Sequence, residues 1–496
     1  MGKRILMDLH PCFGGYAGIP QDTRVTFALL ADSENFELGG HLFDNNYGTS
    51  GFVWKPYSLQ SDRINQMSEY IIGLNSGERR YDHGMSESKM IRIILKGYCS
   101  TTWGRVFIRF LISMGYLKPD NRLHEIDSNF FHDYIWRAIF QKSLTADRKP
   151  QVIAARYFGC STSRANMSRV LRNRKFIHTI DTTGWDAYLS QTPFPGKISP
   201  GTKQIIRFHD AVPIQNPTTI NNPYDHHQAI SQSLKLNAKN SYFVCNSNAT
   251  KNQLLSLFPE IEDRAHVAHC CVPDGFKQTE KQSVRDIISK YANTQNVGVS
   301  SFIDVMKYKT FIGENFNDEY FIAVGTIEPR KNYSSILEGW NRFRKSTGKN
   351  TKLVIVGNTG WGEDALLSQI STHSHNGDLF LLKNVSLYEL IDLYSNATAC
   401  IVASYTEGFS YSGIEAMRCN TPVIASDIPV HREVYGDNAL YFDPYSQDEL
   451  ASTLQKLADI PYEGIEKITV KAREFSLRYA EKVSQENWEN VLNIIL

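Results

Sequence analysis

Two glutamates with seven residues between them, Glu407 and Glu415, lie in the stretch ACIVASYTEGFSYSGIEAMRCNTPVIAS at residues 399–426. Between them stand Gly408, Phe409, Ser410, Ser412 and Gly413, a small-residue loop leading into a helix expected to begin near Gly413. Free backbone N–H groups at such a helix start form a cradle for an anion. A diphosphate held there would present hydroxylated groups to both carboxylates. Glu415 also fits a capping box with Ser412, in which the carboxylate only bonds the cap N–H. Two further groups carry matching chemistry. In GTIEPRKN at residues 325–332, Arg330 and Lys331 follow Gly325 and a turn proline. Together they could neutralise charge developing on a departing diphosphate, the guanidinium holding two oxygens and the ammonium acting as a point charge. His209, in His209-Asp210-Ala211-Val212-Pro213, follows an apolar run and could bond a sugar hydroxyl, with Asp210 read as structural.

The elements that would place these groups read as alternating strands and helices. The run at 399–403 is short and unbroken, as buried parallel strands are. Residues 4–9 form a first strand, and a loop with Gly14, Gly15 and Gly18 leads to a helix over 22–31. Its glycine spacing is not the dinucleotide fingerprint. Further strands are expected at 152–154, 176–179, 204–208, 241–247, 320–324, 352–356 and 439–442. Gly357 closes the 352–356 strand, with Trp361 in the loop beyond as either a packing or a stacking residue. Ser386-Leu387-Tyr388-Glu389 is a capping box opening a core helix. Ligands gather at the carboxyl ends of strands in such sheets, where Glu407, Arg330 and His209 all fall.

The strings EGFSYSGIEAMRCNTPVIASD and GTIEPRKN resemble the donor-site signature of retaining glycosyltransferases of family 4. That resemblance covers residues 1–50 and about 175–496. It implies the GT-B fold, an α/β architecture of two facing Rossmann-like doubly wound domains, here with a helical insertion in the first. By the resemblance Glu407 and His209 meet the donor sugar, Glu415 the ribose, Arg330 and Lys331 the diphosphate, and backbone near Asn384 and Val385 the base. Gly14 and Gly15 face the donor and acceptor, and Gly325, Gly357, Gly408, Phe409, Ser410, Ser412 and Gly413 complete the donor pocket. The loop resembles most the variants in bacterial mannosyl- and rhamnosyltransferases of surface polysaccharide synthesis. A GDP-linked hexose donor, retention of configuration and a saccharide or lipid-linked saccharide acceptor follow from it as expectations. A GT-B sugar-nucleotide epimerase and a non-catalytic nucleotide-sugar binder are the alternatives. The former needs acid and base groups flanking the sugar.

Composition bounds the partners. At 496 residues with 42% hydrophobic content the chain suits two large domains. The expected division is 1–290, with an insertion at about 53–150, a linker at 291–318, a second domain at 319–474, and a last helix at 475–496 crossing back. Fifty-three Lys and Arg against 52 Asp and Glu give a net charge of +1, so no global field recruits nucleic acid. No two aspartates stand in a D-x-D pair, and no Cys-x-x-Cys occurs among the eight cysteines. Metal-independent chemistry, no cofactor and a reducing, cytoplasmic setting are expected, since no signal sequence or membrane span is visible. The segment 96–118 mixes Trp103, Phe107, Phe110 and Tyr116 with Lys96, Arg105, Arg109 and Lys118. Such a run either lies on the inner face of a membrane or buries its apolar side while the arginines snorkel, the simpler reading.

Overall fold

The computed structural model describes residues 2–15, 18–43, 52, 54–75, 121–172, 177–279, 284–292, 316, 319–362 and 364–496. The segment 96–118 and most of the expected linker lie outside the described residues. Two sheets carry the architecture. The first is built from β1 (Lys3–Asp8), β2 (Phe36–His41), β3 (His124–Ile126), β4 (Arg156–Gly159), β6 (Ala187–Ser190), β8 (Lys203–Phe208), β9 (Tyr242–Cys245) and β10 (Ala265–Val267). Two-residue strands β5 (Thr179–Ile180) and β7 (Lys197–Ile198) pair apart from it. The strand order is β10-β9-β8-β6-β1-β2-β4-β3, parallel throughout except for the edge strand β3. The second sheet holds β11 (Tyr320–Val324), β12 (Lys352–Val356), β13 (Leu379–Leu382), β14 (Ala399–Val402), β15 (Val423–Ser426) and β16 (Leu440–Phe442), all parallel, in the order β13-β12-β11-β14-β15-β16.

The strands are unbroken apolar runs because both faces are covered: β12 and β14 are buried along their whole length. Helices supply the cover. Trp340 and Phe343 close one face of the second sheet, and Ile391, Tyr394, Ile414 and Met417 the other. The terminal helix Glu481–Ile495 lies on the first half, where Trp488, Leu492 and Ile495 join Ile5, Phe27 and Ile205 in one core. Trp488 also stacks under the guanidinium of Arg207, 5.0 Å from its ring centre.

One expectation is corrected. Residues 152–154 end the helix Lys149–Ala154 rather than forming a strand. Pro150 sits in its first turn, where proline is preorganised, and the strand begins only at Arg156. The helix Val284–Tyr291 packs on the second sheet, its Ile287 and Ile288 joining Tyr320, Phe380 and Leu382.

Candidate functional site

In the second sheet the chain runs outward from β11 through β12 to β13, then returns to lay β14 on the other flank of β11. A crevice opens at that reversal, at the carboxyl ends of β11 and β14. Beyond β11, the turn Pro329–Lys331 ends at Asn332, which adopts a left-handed conformation (φ 57°) and donates its amide to Ala403 O (3.1 Å) and Pro444 O (2.8 Å). The Tyr405 N–H bonds Arg330 O at 2.9 Å, fixing the two basic residues beside the loop that follows β14.

That loop ends at Ser410, which also takes a left-handed conformation (φ 75°), held by the Tyr435 hydroxyl on its carbonyl (3.0 Å) and Oγ (2.7 Å). The helix consequently starts at Tyr411, not near Gly413. Ser412 lies inside the first turn and cannot be the capping partner of Glu415. Glu415 is free for other work: its carboxylate accepts from Gln21 Nε2 (3.3 Å) across the interdomain cleft and from the Tyr394 hydroxyl (3.0 Å). Burial raises its pKa.

Glu407 binds both cations. Its Oε2 meets Arg330 Nη1 at 2.7 Å, its Oε1 meets Lys331 Nζ, and Ser404 Oγ donates to Oε1 at 2.7 Å. Burial by itself would raise the Glu407 carboxyl, but the Arg330 and Lys331 charges outweigh it and hold the group well below the usual carboxylate range. Arg330 also reaches Glu328 Oε1 at 2.6 Å. Facing them from the first half are His209 and Asp210. Burial lowers the His209 pKa to about 4, so the ring is neutral at physiological pH, and its Nε2 has no partner. Burial raises Asp210, partly offset by Arg330, and its Oδ1 accepts from the Val212 N–H at 3.0 Å.

These groups enclose a cavity of about 210 Å³ between the two halves. His209, Gly325, Arg330, Lys331, Glu407, Gly408, Phe409, Ser410, Ser412 and Glu415 line it, joining residues the sequence separates by up to 206 positions, from His209 to Glu415. The remaining predicted donor residues stand elsewhere. Gly14 precedes the cavity and gives its carbonyl to Arg24 (3.0 Å), while Gly15 faces open space. Gly413 packs on the Tyr435 ring, and Gly357 packs on the Gly325 carbonyl. Asn384, with φ 56°, and Val385 follow β13 and do not line it. Sequence reading missed Gly18, Ile19 and Gln21, which bring the start of helix Ile19–Ala31 to the cavity opposite Glu415. The available signal was Pro20, a first-turn proline that marks the helix start three residues earlier than the apolar pattern did.

Contacts across the cleft hold this geometry. Ser247 Oγ and Thr250 Oγ1 donate to Gly408 O at 2.8 and 3.2 Å, and a Cβ on Gly408 would stand 1.8 Å from His209 O, so only glycine fits. The Tyr411 hydroxyl donates to Asp22 Oδ1 at 3.1 Å. Asp22 in turn takes Arg207 Nε at 2.8 Å and Nη2 at 3.2 Å in a fully buried bidentate pair. The first sheet has its own reversal between β1 and β6, where Asp8 accepts from His10 Nδ1 (2.8 Å) and lies 3.4 Å from Arg164 Nη1. Among the described residues no three His, Cys, Asp or Glu side chains converge as a metal cage, and every described cysteine is buried and free. No helix among them is long and apolar enough to cross a membrane.

Residues 304–475 match the family described as glycosyl transferases group 1, which covers the second sheet and its crevice. Over 184 residues, 37% of this chain and 51% of the relative, the sequence is 33% identical to the O-antigen chain mannosyltransferase RfbU of Salmonella typhimurium. Over 136 residues, 27% of this chain and 17% of the relative, it is 39% identical to the serotype-specific mannosyltransferase WbdA of Escherichia coli. The chain thus spans about half or less of the curated relatives it matches. Among solved structures, sucrose-phosphate synthase from Thermosynechococcus elongatus superposes with a TM-score of 0.54 at 10% identity over 99% of both chains. Anabaena HepE in complex with UDP gives 0.54 at 12% identity, again over 99% of both. The fold is GT-B.

Proposed function

We propose that the chain is a retaining glycosyltransferase of family 4. It moves a hexose, mannose or a related deoxyhexose, from a nucleoside-diphosphate sugar to a saccharide or lipid-linked saccharide in surface polysaccharide synthesis. The observation that carries this reading is the pairing of Arg330 and Lys331 with Glu407 at the β11–β14 reversal, with Glu415 on the far side of one cavity. In this reading Arg330, Lys331 and the start of helix Tyr411–Arg418 take the diphosphate and stabilise the charge that grows as the glycosidic bond breaks. Glu415 takes the ribose hydroxyls. Glu407 turns to the sugar hydroxyls, and the neutral His209 offers its unpartnered Nε2 to the same sugar. The Asp22–Arg207 pair acts through position: it fixes the strand end that carries His209.

The likeness of the loop to mannosyl- and rhamnosyltransferase variants supports a GDP-linked donor, and the paired cations in place of a D-x-D clamp support metal independence. Of the two readings of the run 96–118, burial of its apolar side is the simpler; the membrane-surface reading would bring the chain to the inner membrane face, where a lipid-linked acceptor would lie. The test is incubation with a panel of nucleotide sugars and oligosaccharide acceptors in excess chelator, with products identified by mass spectrometry and anomeric NMR. Retention with GDP-mannose or a related GDP-hexose supports the reading. An inverted product, a free epimerised nucleotide sugar, or a strict need for added divalent metal contradicts it.

A further inference from the structure

Glu433 lies in the helix Pro429–Tyr435 beyond β15 and does not line the donor cavity. Its carboxylate nevertheless accepts four hydrogen bonds from the other half of the molecule. Oε1 takes the Asn248 N–H at 2.7 Å, Asn248 Nδ2 at 2.9 Å and His269 Nε2 at 2.8 Å, and Oε2 takes the Ala249 N–H at 2.8 Å. Asn248 and Ala249 open the helix Asn248–Leu257 beyond β9, and His269 follows β10. We propose that Glu433 is a positioning residue for the transfer: by holding the first turn of that helix it sets the angle at which the two halves meet, and through Gly408 it places Glu407 against His209. The inference rests on the glycosyltransferase reading above and goes beyond it, to a residue that touches neither substrate.

The first N–H groups of a helix have no partner within it and form its positive end. Glu433 takes two of them, and Ser247 Oγ takes the next, from Thr250, at 3.0 Å. Burial alone would raise the Glu433 carboxyl, but the bonds from His269, Asn248 and Ala249 outweigh it and hold the group below its ordinary value, so it is charged at neutral pH. Several donors converging on one charged carboxylate fix direction as well as distance. The same helical turn carries the linkage onward, since the hydroxyls of Ser247 and Thr250 hold the Gly408 carbonyl, one residue from Glu407. Gly408 in turn packs on His209 O with no room for a Cβ, so a shift of the turn is felt where Glu407 and His209 face each other. The pivot of the halves is close by. Just ahead of the helix Glu481–Ile495, Tyr479 O accepts from the Val272 N–H at 2.9 Å, and the Tyr479 hydroxyl donates at 3.1 Å to the carbonyl of Val434, the neighbour of Glu433. A change in the seat of Glu433 therefore turns one half against the other.

The experiment uses the full chain as wild type, Glu433→Gln, which keeps the side-chain shape and removes the charge, and His269→Phe, which withdraws one donor while keeping a ring beside Phe409 and Tyr479. Should Glu433→Gln fail to fold, His269→Phe carries the test. Asp427→Asn is the control, because Asp427 is exposed and pairs with Arg432 inside the second half at 2.7 and 2.6 Å. Small-angle X-ray scattering gives the radius of gyration without substrate. Initial rates well below Tm, with GDP-mannose and methyl α-D-mannopyranoside as probes, give kcat and KM. Glu433→Gln is expected to enlarge the radius of gyration and to lower kcat at least tenfold with the KM for GDP-mannose within threefold. His269→Phe should move both in the same direction, with kcat down at least threefold, and Asp427→Asn should move neither. An unchanged radius of gyration in the folded variants, a lowered Tm with unchanged kcat, or an equal loss in Asp427→Asn overturns the assignment. Absence of transfer by the wild type would instead strike the glycosyltransferase reading, and the scattering, which needs no substrate, would still decide whether Glu433 sets the angle of the halves.

Discussion

Glu407→Gln removes one negative charge from the wall of the proposed donor cavity while keeping its volume. That charge satisfies Arg330 at 2.7 Å and Lys331 beside it. An incoming diphosphate must take over these two cations and either displace the carboxylate or lie against it. At about 4 Å and an effective dielectric of about 20, one unit-charge contact is worth about 4 kcal/mol. Solvation of the released groups returns most of that, leaving a net 1–2 kcal/mol on the order expected for close charge pairs. Free nucleoside diphosphate should therefore bind the variant roughly 5- to 30-fold more tightly. Transfer should fall in the same variant, because the amide cannot give the donor sugar the doubly accepting carboxylate. A loss of kcat/KM of roughly a hundredfold corresponds to about 2.7 kcal/mol. Calorimetric titration with GDP and UDP, paired with initial rates, reads both arms. If Glu407→Gln weakens nucleotide as severely as Arg330→Ala does, or turns over normally, the carboxylate does not compete with the diphosphate and the reasoning fails.

Three further outcomes follow from the same geometry. Arg330→Ala should lower kcat/KM by a transition-state contribution on the order of 3 kcal/mol and weaken nucleoside diphosphate as well; unchanged rates would remove it from the diphosphate site. Gly408→Ala should cost about 1–3 kcal/mol, seen as a lowered Tm, because its methyl would meet His209 O and Asn246 Nδ2 at 1.8 and 2.8 Å; a wild-type Tm would show that the cleft opens without cost. Acidification should destabilise the protein in two stages. His209 and His431 are buried neutral with pKa values lowered from 6.5 to about 4. Below pH 6.5 the unfolded chain therefore takes protons that the folded one refuses, and stability drops down to about pH 4 by on the order of 3 kcal/mol per imidazole. Glu407, depressed in the fold, adds its own loss as the pH falls below 4.5. A Tm that stays flat between pH 7 and 4 contradicts the burial of these rings.

What could be read in advance was local. The strand–loop–helix at 399–426 and the turn at 325–332 each carry their geometry in a few adjacent residues, so the placement of Glu407, Arg330 and Lys331 at the strand ends was visible there. The N-cap at Ser386 was visible for the same reason: Ser386 Oγ accepts from the Glu389 N–H at 3.4 Å, although the Glu389 carboxylate pairs with Lys290 Nζ (2.8 Å) and the Ser386 hydroxyl rather than with the cap N–H. The capping box read at Ser412 does not form, because Tyr435, far along the chain, holds Ser410 left-handed and starts the helix early. Gly14 and Gly15 came from the resemblance of the first loop, and the helix start beside Gly18 was set three residues late because an apolar pattern locates a helix less sharply than its first-turn proline. The pair between Asp22, in the helix Ile19–Ala31, and Arg207, in β8, joins residues far apart in the chain. Only the strand order brings them together, and no spacing in the chain encodes that order.

The central claim is that one nucleoside diphosphate lies across the β11–β14 reversal between the halves. A crystal structure of the full chain with GDP, or with UDP should that bind more tightly, tests it most directly. The account predicts the diphosphate within hydrogen-bonding distance of Arg330 and Lys331, the ribose on Glu415, and the Glu407 carboxylate released from at least one of its two cations. A nucleotide bound elsewhere, or bound in the cavity with the Glu407 pairs intact and its phosphates away from Arg330, would contradict it.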